Sequence, residues 1–514
     1  MTVARAWSVA VVGIDGFVVE VEADIGQGLP GVHLVGLPDT AVHEARDRAR
    51  AAVLNSGESW PNRRVTVNLS PAGIRKQGTA YDLALATAIL AGDDAIPRTS
   101  LEKVVLVGEL GLDGAVRPVP GILPAVLAGA SAGFSAFVVP AANLAEAMLV
   151  PDVDVLGVAT FAALVRQLRG EPEPDGGEEP PPVVEAKAVP ARVPAKDLAD
   201  VAGQAEGRLA LEVSAAGGHH TFLHGSPGTG KTMLAERLPG IMPTLDDAAA
   251  LEVTAIHSVA GALPTGDVLI RRPPFHGPHH SASRAAIVGG GSQRIRPGAV
   301  SLAHRGVLFL DEAPEFASSV LEALRQPLES GEVVVSRQRE TVCFPARFTL
   351  VLAANPCPCA LAEEDTSRCT CTPIARRRYL NRLSGPLLDR VDLSVAMHPL
   401  ARLDLLHAVA NAEATSVVAA RVAAARERMS TRFAGEPWAT NAELPGRDLR
   451  VRYAPPAGGL ALVERDLGRG RLTARGAVRV LRVAWTLADL TGRDRPGVDE
   501  VAAALALRTG VWTG

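Results

Sequence analysis

The sequence is poor in cysteine and carries no strong excess of charge of either sign. Five cysteines in 514 residues are too few for the disulfide framework of a small secreted protein. Four of them lie close together, which in a reducing compartment indicates a metal site. The formal net charge is only −4, from 52 lysines and arginines against 56 aspartates and glutamates. This balance excludes a basic coat over the whole surface, although it leaves room for a local basic channel.

The chain also lacks the marks of an exported or membrane protein. Its first residues, MTVARAWSVAVVGIDG, contain neither the apolar core nor the small-residue cleavage site of a signal peptide. Residues 118–145 are free of charge, but several prolines and glycines interrupt them, which disfavours a transmembrane helix. We predict a buried helix followed by a strand at 135–139, no contact with a membrane, and a cytoplasmic location.

Patterning divides the chain into four segments. Residues 1–168 alternate strand and helix signals, and 169–196 form a Pro-rich linker that starts acidic and has no aromatic residue. Such a linker cannot bury a face of its own. Residues 197–400 again alternate strands and helices, whereas 401–514 are mainly helical. The predicted fold class is therefore α/β, with two mixed domains and a helical C-terminal part.

A glycine-rich turn in the third segment matches the phosphate-binding pattern G-x-x-x-x-G-K-[ST]. It follows the apolar run 221–223 and precedes a predicted helix, MLAERL at 233–238. Glycines let backbone N–H groups face a polyphosphate at the start of a helix. We predict bound ATP and Mg²⁺, with Lys231 on the β- and γ-phosphates and the Thr232 hydroxyl on the metal. The predicted nucleotide-binding residues of this turn are Gly225, Ser226, Pro227, Gly228, Thr229, Gly230, Lys231 and Thr232.

Two further strands are predicted to end in polar side chains that complete the site. The apolar run Val307–Leu310 predicts a buried strand that presents Asp311 and Glu312 at its carboxyl end. Asp311 can hold Mg²⁺, and Glu312 can deprotonate the attacking water. A third strand begins at 347 and ends at Asn355, whose amide can orient that water or contact the γ-phosphate. An asparagine that merely ends a strand is the alternative.

Several long sequence runs resemble the YifB/ComM family of magnesium-chelatase-like AAA+ ATPases. They include VGLPDTAVHEARDRARAAVLNSG, PHHSAS, RPGAVSLAHRGVLFLDEAPEF, NPCPC and SGPLLDRVD. The resemblance covers nearly the whole chain outside the linker. It implies a Lon-protease-like (ribosomal S5 domain 2-like) N-terminal domain, an AAA+ core with a parallel sheet and a C-terminal helical lid. It also implies a hexameric motor, because ComM-type members are helicases that promote branch migration of DNA. PHHSAS is interpreted as a structural or pore element.

The resemblance assigns roles to three more residues. Arg390 resembles the arginine finger that completes a neighbouring subunit's ATP site. An arginine suits this role because its guanidinium is planar and permanently charged. A surface ion pair with Asp389 or Asp392 is the alternative for it. Arg475 resembles the second sensor, with an exposed helix arginine as the alternative. Gln204 is expected near the adenine.

A Lon-like domain raises the question of proteolysis, which the sequence disfavours. Lon-type catalysis needs a serine nucleophile activated by a lysine. The position that matches the serine is Ala80, and the matching lysine region, VPGILPAVLAGASAG, contains no lysine. Without nucleophile and base there is no covalent chemistry. We predict that the chain is not a protease and that its N-terminal domain binds a protein partner or supports assembly.

The clustered cysteines have the spacing C-x-C-x₉-C-x-C. Four thiolates from two such pairs can close a tetrahedral structural zinc site, although C-x₂-C pairs are more usual. Four reduced thiols or a redox disulfide are the alternatives. The fifth cysteine, Cys343, is expected in the core. The four predicted zinc ligands are Cys357, Cys359, Cys369 and Cys371.

DNA contacts must come from a few placed cations, because the chain as a whole is slightly acidic. GEVVVSRQRETVCFPA predicts a hairpin with Arg337 and Arg339 near its tip. In the related MCM-type motors a hairpin at this point projects into the central pore. The resemblance therefore implies that six copies of this tip would surround a pore with arginines that can contact phosphates. GGGSQRIRPG, with Arg294 and Arg296, is a second candidate because its glycines allow movement. Solvated charged turns are the alternative for both.

Together these features predict an oligomeric, hexameric Mg²⁺-dependent AAA+ ATPase that acts on single-stranded or branched DNA. The partners expected are further copies of the chain, DNA, and a protein at the N-terminal domain. A chelatase-type motor subunit and a protein-remodelling chaperone are the rival functions. DNA-stimulated ATP hydrolysis separates the DNA motor from both rivals.

Overall fold

The computed structural model describes most of the chain but not the centre of the predicted linker. The described residues are 3–36, 39–172, 196–264, 268–291, 294–337, 340–359, 369–399 and 412–509. Within these ranges, no helix combines the length and the apolar character that a membrane span requires.

The described residues up to 172 contain a mixed seven-stranded sheet. Its strands and two short accessory strands are β1 (Ala4–Val12), β2 (Asp15–Gly26), β3 (Gly31–Val35), β4 (Arg64–Ser70), β5 (Val104–Leu106), β6 (Glu109–Leu110), β7 (Val116–Arg117), β8 (Ala136–Pro140) and β9 (Asp154–Val158). The order in the sheet is β3-β4-β2-β1-β5-β8-β9. β2 runs antiparallel to β1 and β4, whereas β5, β8 and β9 continue the sheet in parallel. The strand predicted at 135–139 is confirmed as β8.

Helices pack on this sheet, and their termini follow local sequence signals. They are α1 (Thr40–Asn55), α2 (Asp82–Gly92), α3 (Ile122–Ser131), α4 (Leu144–Ala147) and α5 (Phe161–Arg169). The Asp39 carboxylate accepts the backbone N–H of Val42 at 2.9 Å and caps α1. α2 is apolar on all sides and almost wholly buried, as a central helix must be. Its one carboxylate, Asp82, accepts two hydrogen bonds from Arg48, at 2.7 and 3.0 Å.

The described residues between 196 and 399 are built on a five-stranded parallel sheet. The strands of this segment are β10 (Thr221–Gly225), β11 (Phe275–His276), β12 (Val307–Leu310), β13 (Glu332–Arg337), β14 (Glu340–Pro345), β15 (Thr349–Ala354) and β16 (Leu393–Met397). The sheet order is β11-β12-β15-β10-β16, and every pair is parallel. Every residue of β10, β12 and β15 is buried, which explains why these strands are almost continuously apolar. All three strands confirm the predictions from the sequence.

Helices surround the parallel sheet, and the one after the glycine-rich turn is shorter than predicted. The helices are α6 (Ala205–Gly217), α7 (Lys231–Ala235), α8 (Leu238–Ile241), α9 (Asp247–Ala260), α10 (Arg284–Val288), α11 (Ala299–Leu302), α12 (Ser318–Ala323), α13 (Arg325–Ser330), α14 (Pro373–Leu380) and α15 (Gly385–Leu388). The prediction of one helix over 233–238 was wrong, since α7 ends at Ala235 and α8 begins at Leu238. Pro239 explains the break, because it has no N–H and its ring clashes with the carbonyl four residues earlier.

β13 and β14 pair as the predicted hairpin, from Glu332 opposite Pro345 to Arg337 opposite Glu340. Arg339 lies outside the described residues. Cys343 is exposed, so the expectation that it lies in the core was wrong. Side chains alternate between the two faces of a strand, and Phe344 takes the buried face of β14 in its place.

The last described segment is helical, as predicted. Its helices are α16 (Thr415–Arg432), α17 (Gly446–Val451), α18 (Ala457–Gly468), α19 (Ala474–Thr491) and α20 (Val498–Thr509). α19 begins where the Thr473 hydroxyl accepts the N–H of Gly476, and it ends at Gly492 in the left-handed conformation. α16 and α19 pack against α6 and share one apolar core with the parallel sheet.

The N-terminal domain contacts the second domain at two places. Val12 and Ile14, at the β1–β2 turn, pack on a small buried cluster formed by Ile295, Val342 and Phe344. The second contact joins α3 and α4 to α9. There the buried carboxylate of Glu146 accepts the backbone N–H of Leu123 at 2.8 Å and a hydrogen bond from the Ser258 hydroxyl. The N-terminal domain therefore supports the hairpin along β14.

Candidate nucleotide-binding site

The glycine-rich turn leaves β10 and leads directly into α7. Gly225, Gly228 and Gly230 have φ values of 154°, 78° and 89°, which favour glycine. A Cβ at Gly225 would lie only 2.1 Å from the carbonyl oxygen of Met397. A Cβ at Gly228 or Gly230 would meet no described atom within 4 Å beyond its chain neighbours. The turn is therefore tight at its start and open where a phosphate group would approach.

Lys231 is the first residue of α7, and its side chain is 7% exposed. Its Nζ donates to the carbonyl oxygens of Gly225 and Ser226, at 2.7 and 2.8 Å, and to Asn355 Oδ1 at 3.2 Å. Burial lowers the pKa of Lys231, while the carboxylates of Asp311 and Glu312 act in the opposite direction. The ammonium is thus held at the mouth of the turn, beside the end of β15.

The carboxylates after β12 lie beside the start of α7. Thr232 Oγ1 donates to Asp311 Oδ2 at 2.7 Å. The backbone N–H of Glu312 donates to the other oxygen of Asp311 at 2.9 Å. A hydroxyl and a carboxylate at this separation are suited to share a hard cation such as Mg²⁺.

The structure adds His280 to the site, a residue for which the sequence predicted no role there. Its Nδ1 lies 3.4 Å from Glu312 Oε2. β11, which runs beside β12 at the edge of the sheet, brings the PHHSAS segment to the carboxyl end of β12. The signal in the sequence was the histidine pair that follows β11, a strand that was not predicted. Only the order of the strands in the sheet shows that this pair reaches Glu312.

Asn355 follows β15 and joins the site to α14. Its side-chain oxygen accepts from Lys231, and its backbone is hydrogen-bonded to Tyr379. Burial raises the pKa of Tyr379 to about 12.

Within the glycine-rich turn, the Thr229 hydroxyl donates to the carbonyl oxygen of Ser226 at 2.8 Å.

Three predicted residues lie around this centre. Gln204 precedes α6 with a φ of 53°, and its Nε2 donates to the carbonyl oxygen of His398, just after β16. Arg390 pairs with Glu329 and donates to the Pro386 carbonyl oxygen at 2.5 Å. Neither Asp389 nor Asp392 is its partner in those contacts. Arg475 is exposed in the first turn of α19.

Burial is the main cause that lowers the pKa of Arg390. The positive charges of Arg325, Arg475 and Arg479 contribute in the same direction. These arginines therefore lie on one side of the second domain, where α13, α15 and α19 approach one another. Arg390 therefore lies near enough to Arg475 for the two charges to repel each other.

Three stretches of the chain match models of known protein families. Residues 197–405 match "Magnesium chelatase, subunit ChlI", 21–143 match "Subunit ChlI of Mg-chelatase", and 412–508 match "Magnesium chelatase, subunit ChlI C-terminal". Similarity also extends over full-length relatives. An uncharacterized protein of Mycobacterium tuberculosis is 56% identical over 508 residues, 99% of each chain. The competence protein ComM of Haemophilus influenzae is 39% identical over 510 residues, covering 99% of this chain and 98% of ComM.

The chain belongs to the magnesium-chelatase-like family of YifB and ComM. The resemblance predicted from the sequence is thus confirmed, together with the AAA+-like α/β core and the C-terminal helices. Family membership makes the chain an ATPase-type motor protein. A Lon protease of Mycolicibacterium smegmatis is 30% identical over 157 residues, 29% of this chain and 20% of that protein. This similarity agrees with the Lon-like part of the fold class expected from the sequence.

In this member of the family the four clustered cysteines are brought together beside the nucleotide site. All four sulfur atoms lie within 4.8 Å of one another. Three of the sulfur–sulfur distances are 3.1 Å (Cys357 to Cys359), 3.6 Å (Cys357 to Cys369) and 3.3 Å (Cys359 to Cys369). The spacing in the sequence had suggested such a cluster, and the structure assembles it.

Of the four arginines predicted to contact DNA, Arg294, Arg296 and Arg337 are described. Arg337 is exposed at the tip of the hairpin, and its guanidinium lies 3.6 Å from where a Cβ of Gly290 would be. Arg296 is exposed, and its backbone pairs with Gly290 through two hydrogen bonds of 3.0 Å. Arg294 points towards the N-terminal domain, 3.7 Å from where a Cβ of Gly121 would be. The tip of the hairpin therefore lies next to the loop that contains Gly290 and Arg296.

Proposed function

We propose that the chain hydrolyses ATP and uses the energy to move along or remodel DNA as a branch-migration helicase. The observation that carries the ATPase part is that three sheet strands bring their polar ends to one place. Lys231 reaches Asn355 at 3.2 Å, and Thr232 reaches Asp311 at 2.7 Å. These contacts join the glycine-rich turn to the ends of two neighbouring strands, β12 and β15.

The residues at this edge fit ATP with Mg²⁺. Thr232 and Asp311 offer the hard oxygen ligands that Mg²⁺ prefers, and they would hold it. When bound, the metal neutralises charge on the β- and γ-phosphate oxygens. Lys231 binds the phosphates, Glu312 accepts a proton from the attacking water at its carboxylate, and Asn355 orients that water.

We further propose that the chain works as a homo-oligomer, a hexamer, in which Arg390 completes the ATP site of the neighbouring subunit. The guanidinium is paired with Glu329 in the single chain, so assembly would exchange this partner for a phosphate. A bidentate, permanently charged group suits that role. Arg475, on the same side of the domain, would contact the same nucleotide, and Gln204 would lie near the adenine.

The DNA part of the proposal is supported by the placement of the cations. Arg337 and Arg296 are exposed on adjacent segments, and Arg339 and Arg294 flank them in the sequence. Six copies of this tip would concentrate phosphate-binding charge in a protein whose net charge is −4. The Haemophilus influenzae relative is named as a competence protein, which supports the same proposal.

We propose the following organisation around this motor. The domains are the Lon-like domain 1–168, the linker 169–196, the AAA+ core 197–400 and the lid 401–514. The Lon-like domain serves for assembly or for a protein partner and not for proteolysis, since Ala80 stands at the position of the serine nucleophile. We assign the work to the cytoplasm, and the cofactors to Mg²⁺ and, at the four cysteines, structural Zn²⁺.

Steady-state ATP hydrolysis tests the proposed function. We expect hydrolysis to rise several-fold with single-stranded DNA or a branched junction, and this stimulation to weaken steeply with salt because it depends on phosphate contacts. The Glu312→Gln variant should lose hydrolysis by about 10²-fold or more while still binding nucleotide. Hydrolysis that depends on Glu312 but ignores DNA at every salt concentration would rule out the helicase and favour the chaperone or chelatase-type motor.

The arginines of the hairpin allow a sharper form of the same test. Arg337→Ala should reduce the stimulation by DNA and the steepness of its salt dependence, and leave hydrolysis without DNA within about twofold. Arg46→Ala, an exposed arginine on α1 of the N-terminal domain, is the matched control. Equal losses in both variants would contradict a specific DNA contact at the hairpin.

A further inference from the structure

The cysteine cluster lies on the segment that joins the end of β15 to the start of α14. Cys357 comes two residues after Asn355, and Cys371 precedes the first residue of α14 by two. The polypeptide leaves the nucleotide site at Asn355, passes through the first cysteine pair and enters α14 after the second pair. Any bond between the two pairs therefore fixes the position of α14 relative to the end of β15.

The sulfur atoms are arranged as ligands around one point. A tetrahedral zinc site with Zn–S bonds of about 2.3 Å places its sulfurs about 3.8 Å apart. The three distances of 3.1, 3.6 and 3.3 Å are each shorter than this value, and no two of the four sulfur atoms are more than 4.8 Å apart. The four sulfurs are thus close enough to share one ion. All four are free thiols, and Arg376 on α14 hydrogen-bonds the Cys369 sulfur. A cationic hydrogen-bond donor beside the cluster partly offsets the charge of four thiolates.

The helix that the cluster anchors contacts the catalytic residues from two sides. Tyr379 of α14 is buried and hydrogen-bonded to the backbone of Asn355. Arg382, just beyond α14, donates to the Pro314 carbonyl oxygen at 3.1 Å and to the Glu315 carboxylate at 3.0 Å. Those two residues belong to the turn that follows Glu312. Through α14 the cluster is thus connected both to the amide and to the carboxylate that act on the attacking water.

We propose that the four cysteines bind one Zn²⁺ ion, and that this ion holds Asn355 and the turn after Glu312 in the geometry needed for hydrolysis. Four thiolates leave no open coordination position, so the metal has a structural role. The cysteines are positioning residues, because none of them lies among the groups that contact the nucleotide. This proposal rests on the proposed ATPase, and it predicts that loss of the metal impairs hydrolysis more than nucleotide binding.

Metal analysis of the purified full-length protein tests the site itself. We expect about one zinc per chain, as four thiolates close one tetrahedral site, and loss of nearly all of it in the Cys359→Ser/Cys371→Ser variant. Cys343→Ser, which removes the exposed cysteine outside the cluster, is the matched control and should keep its zinc. Protein produced with Co²⁺ should show thiolate-to-cobalt charge-transfer absorption and the visible bands of tetrahedral cobalt. Iron in place of zinc, or a disulfide with no metal, would overturn the proposal.

Hydrolysis and nucleotide binding, measured on the same variants, test the positioning role. The double variant should bind a fluorescent ATP analogue within about threefold of the unmodified protein and hydrolyse ATP at least about tenfold more slowly. A fully active variant without zinc would overturn the role. If the variant does not fold, removal of zinc from the unmodified protein by a chelator, followed by the same two measurements, decides the question. A zinc-containing protein without any ATPase activity would overturn the proposed function and this role, but the metal site would stand.

Discussion

At the residue scale, Glu312 has a left-handed backbone conformation, which residues other than glycine rarely adopt. Its φ is 50°, and such a conformation costs on the order of 1–3 kcal/mol when the surroundings impose it. The surroundings here are specific, since Asp311 accepts the Glu312 N–H and His280 contacts the Glu312 carboxylate. These two contacts restrain Glu312, whose side chain is 48% exposed.

The contact with His280 leads to a prediction about catalysis. His280→Ala should lower kcat for ATP hydrolysis by about threefold with little change in KM, because the two side chains are 38% and 48% exposed and an exposed pair contributes about 0.2–1 kcal/mol. His280→Asn should recover part of the rate, since its amide can donate from nearly the same position as Nδ1. Steady-state kinetics over a range of ATP concentrations, from below KM to saturation, checks both variants.

His279→Ala is the control for this experiment. The His279 ring lies 4.1 Å from that of His280, but its Nδ1 is hydrogen-bonded to Ser281. We expect its rate to stay within about twofold. A rise in KM without a fall in kcat for His280→Ala would show that the histidine affects binding and not the orientation of Glu312.

At the scale of secondary-structure elements, α9 is tied to the loop before β12 by one carboxylate. Glu252 Oε2 lies 2.9 Å from His304 Nε2 and 3.1 Å from an Arg305 nitrogen. The hydrogen bond from His304 is the largest cause that lowers the pKa of Glu252 from 4.5 to about 2, and the charge of Arg305 adds to it. This ion pair therefore joins a helix that faces the N-terminal domain to the strand that carries Asp311.

The lowered pKa predicts how stability depends on pH. Because the folded protein binds a proton at Glu252 less readily than the unfolded chain, the stabilisation is complete above pH 4.5. It is lost as the pH falls towards 2. Glu252→Gln should flatten the loss of stability in this window, measured as denaturant midpoints at a series of pH values.

Asp247→Asn, on the first turn of the same helix, is the matched control for this measurement. Its carboxylate pairs with Arg271 at 2.7 Å but is 84% exposed, so we expect it to contribute little. An unchanged profile for Glu252→Gln, with the same slope between pH 4.5 and 2, would contradict the assignment.

At the scale of the whole molecule, the N-terminal domain supports the hairpin that carries Arg337. The small cluster of Ile295, Val342 and Phe344 is completed by Val12 and Ile14 from the β1–β2 turn. Since apolar burial stabilises by about 25 cal/mol per Å², this contact resists any movement of the hairpin away from the N-terminal domain. A hairpin that moves with the ATP cycle would therefore move together with that domain.

Removal of the central ring of this cluster should loosen both partners. Phe344→Ala should destabilise the protein by about 3–5 kcal/mol, since the ring is fully buried. It should also speed hydrogen exchange in the hairpin and at the β1–β2 turn. Val334→Ala, on the exposed face of the same hairpin with 40% of Val334 accessible, should change neither. Faster exchange confined to the hairpin would argue against coupling between the domains.

Local sequence signals predict some boundaries and strands of this fold and miss others. The cap of α1 at Asp39, the stop of α19 at Gly492 and the buried strand β12 were predictable, because each depends on residues next to one another in the chain. The end of α7 was missed although Pro239 stood in the sequence. The position of Cys343 was missed because the partner that occupies the buried face, Phe344, packs against a distant segment.

The sequence by itself determined the phosphate-binding turn, the acidic pair after β12, the Asn355 position and the spacing of the four cysteines. These features depend on short motifs whose chemistry requires particular neighbours in the chain. Only the tertiary structure decided that His280 reaches Glu312, that Arg390 pairs with Glu329 and that α14 connects the cysteines to Asn355. Each of these contacts depends on the order of strands in the sheet or on helix packing, because they join residues that are far apart in the chain.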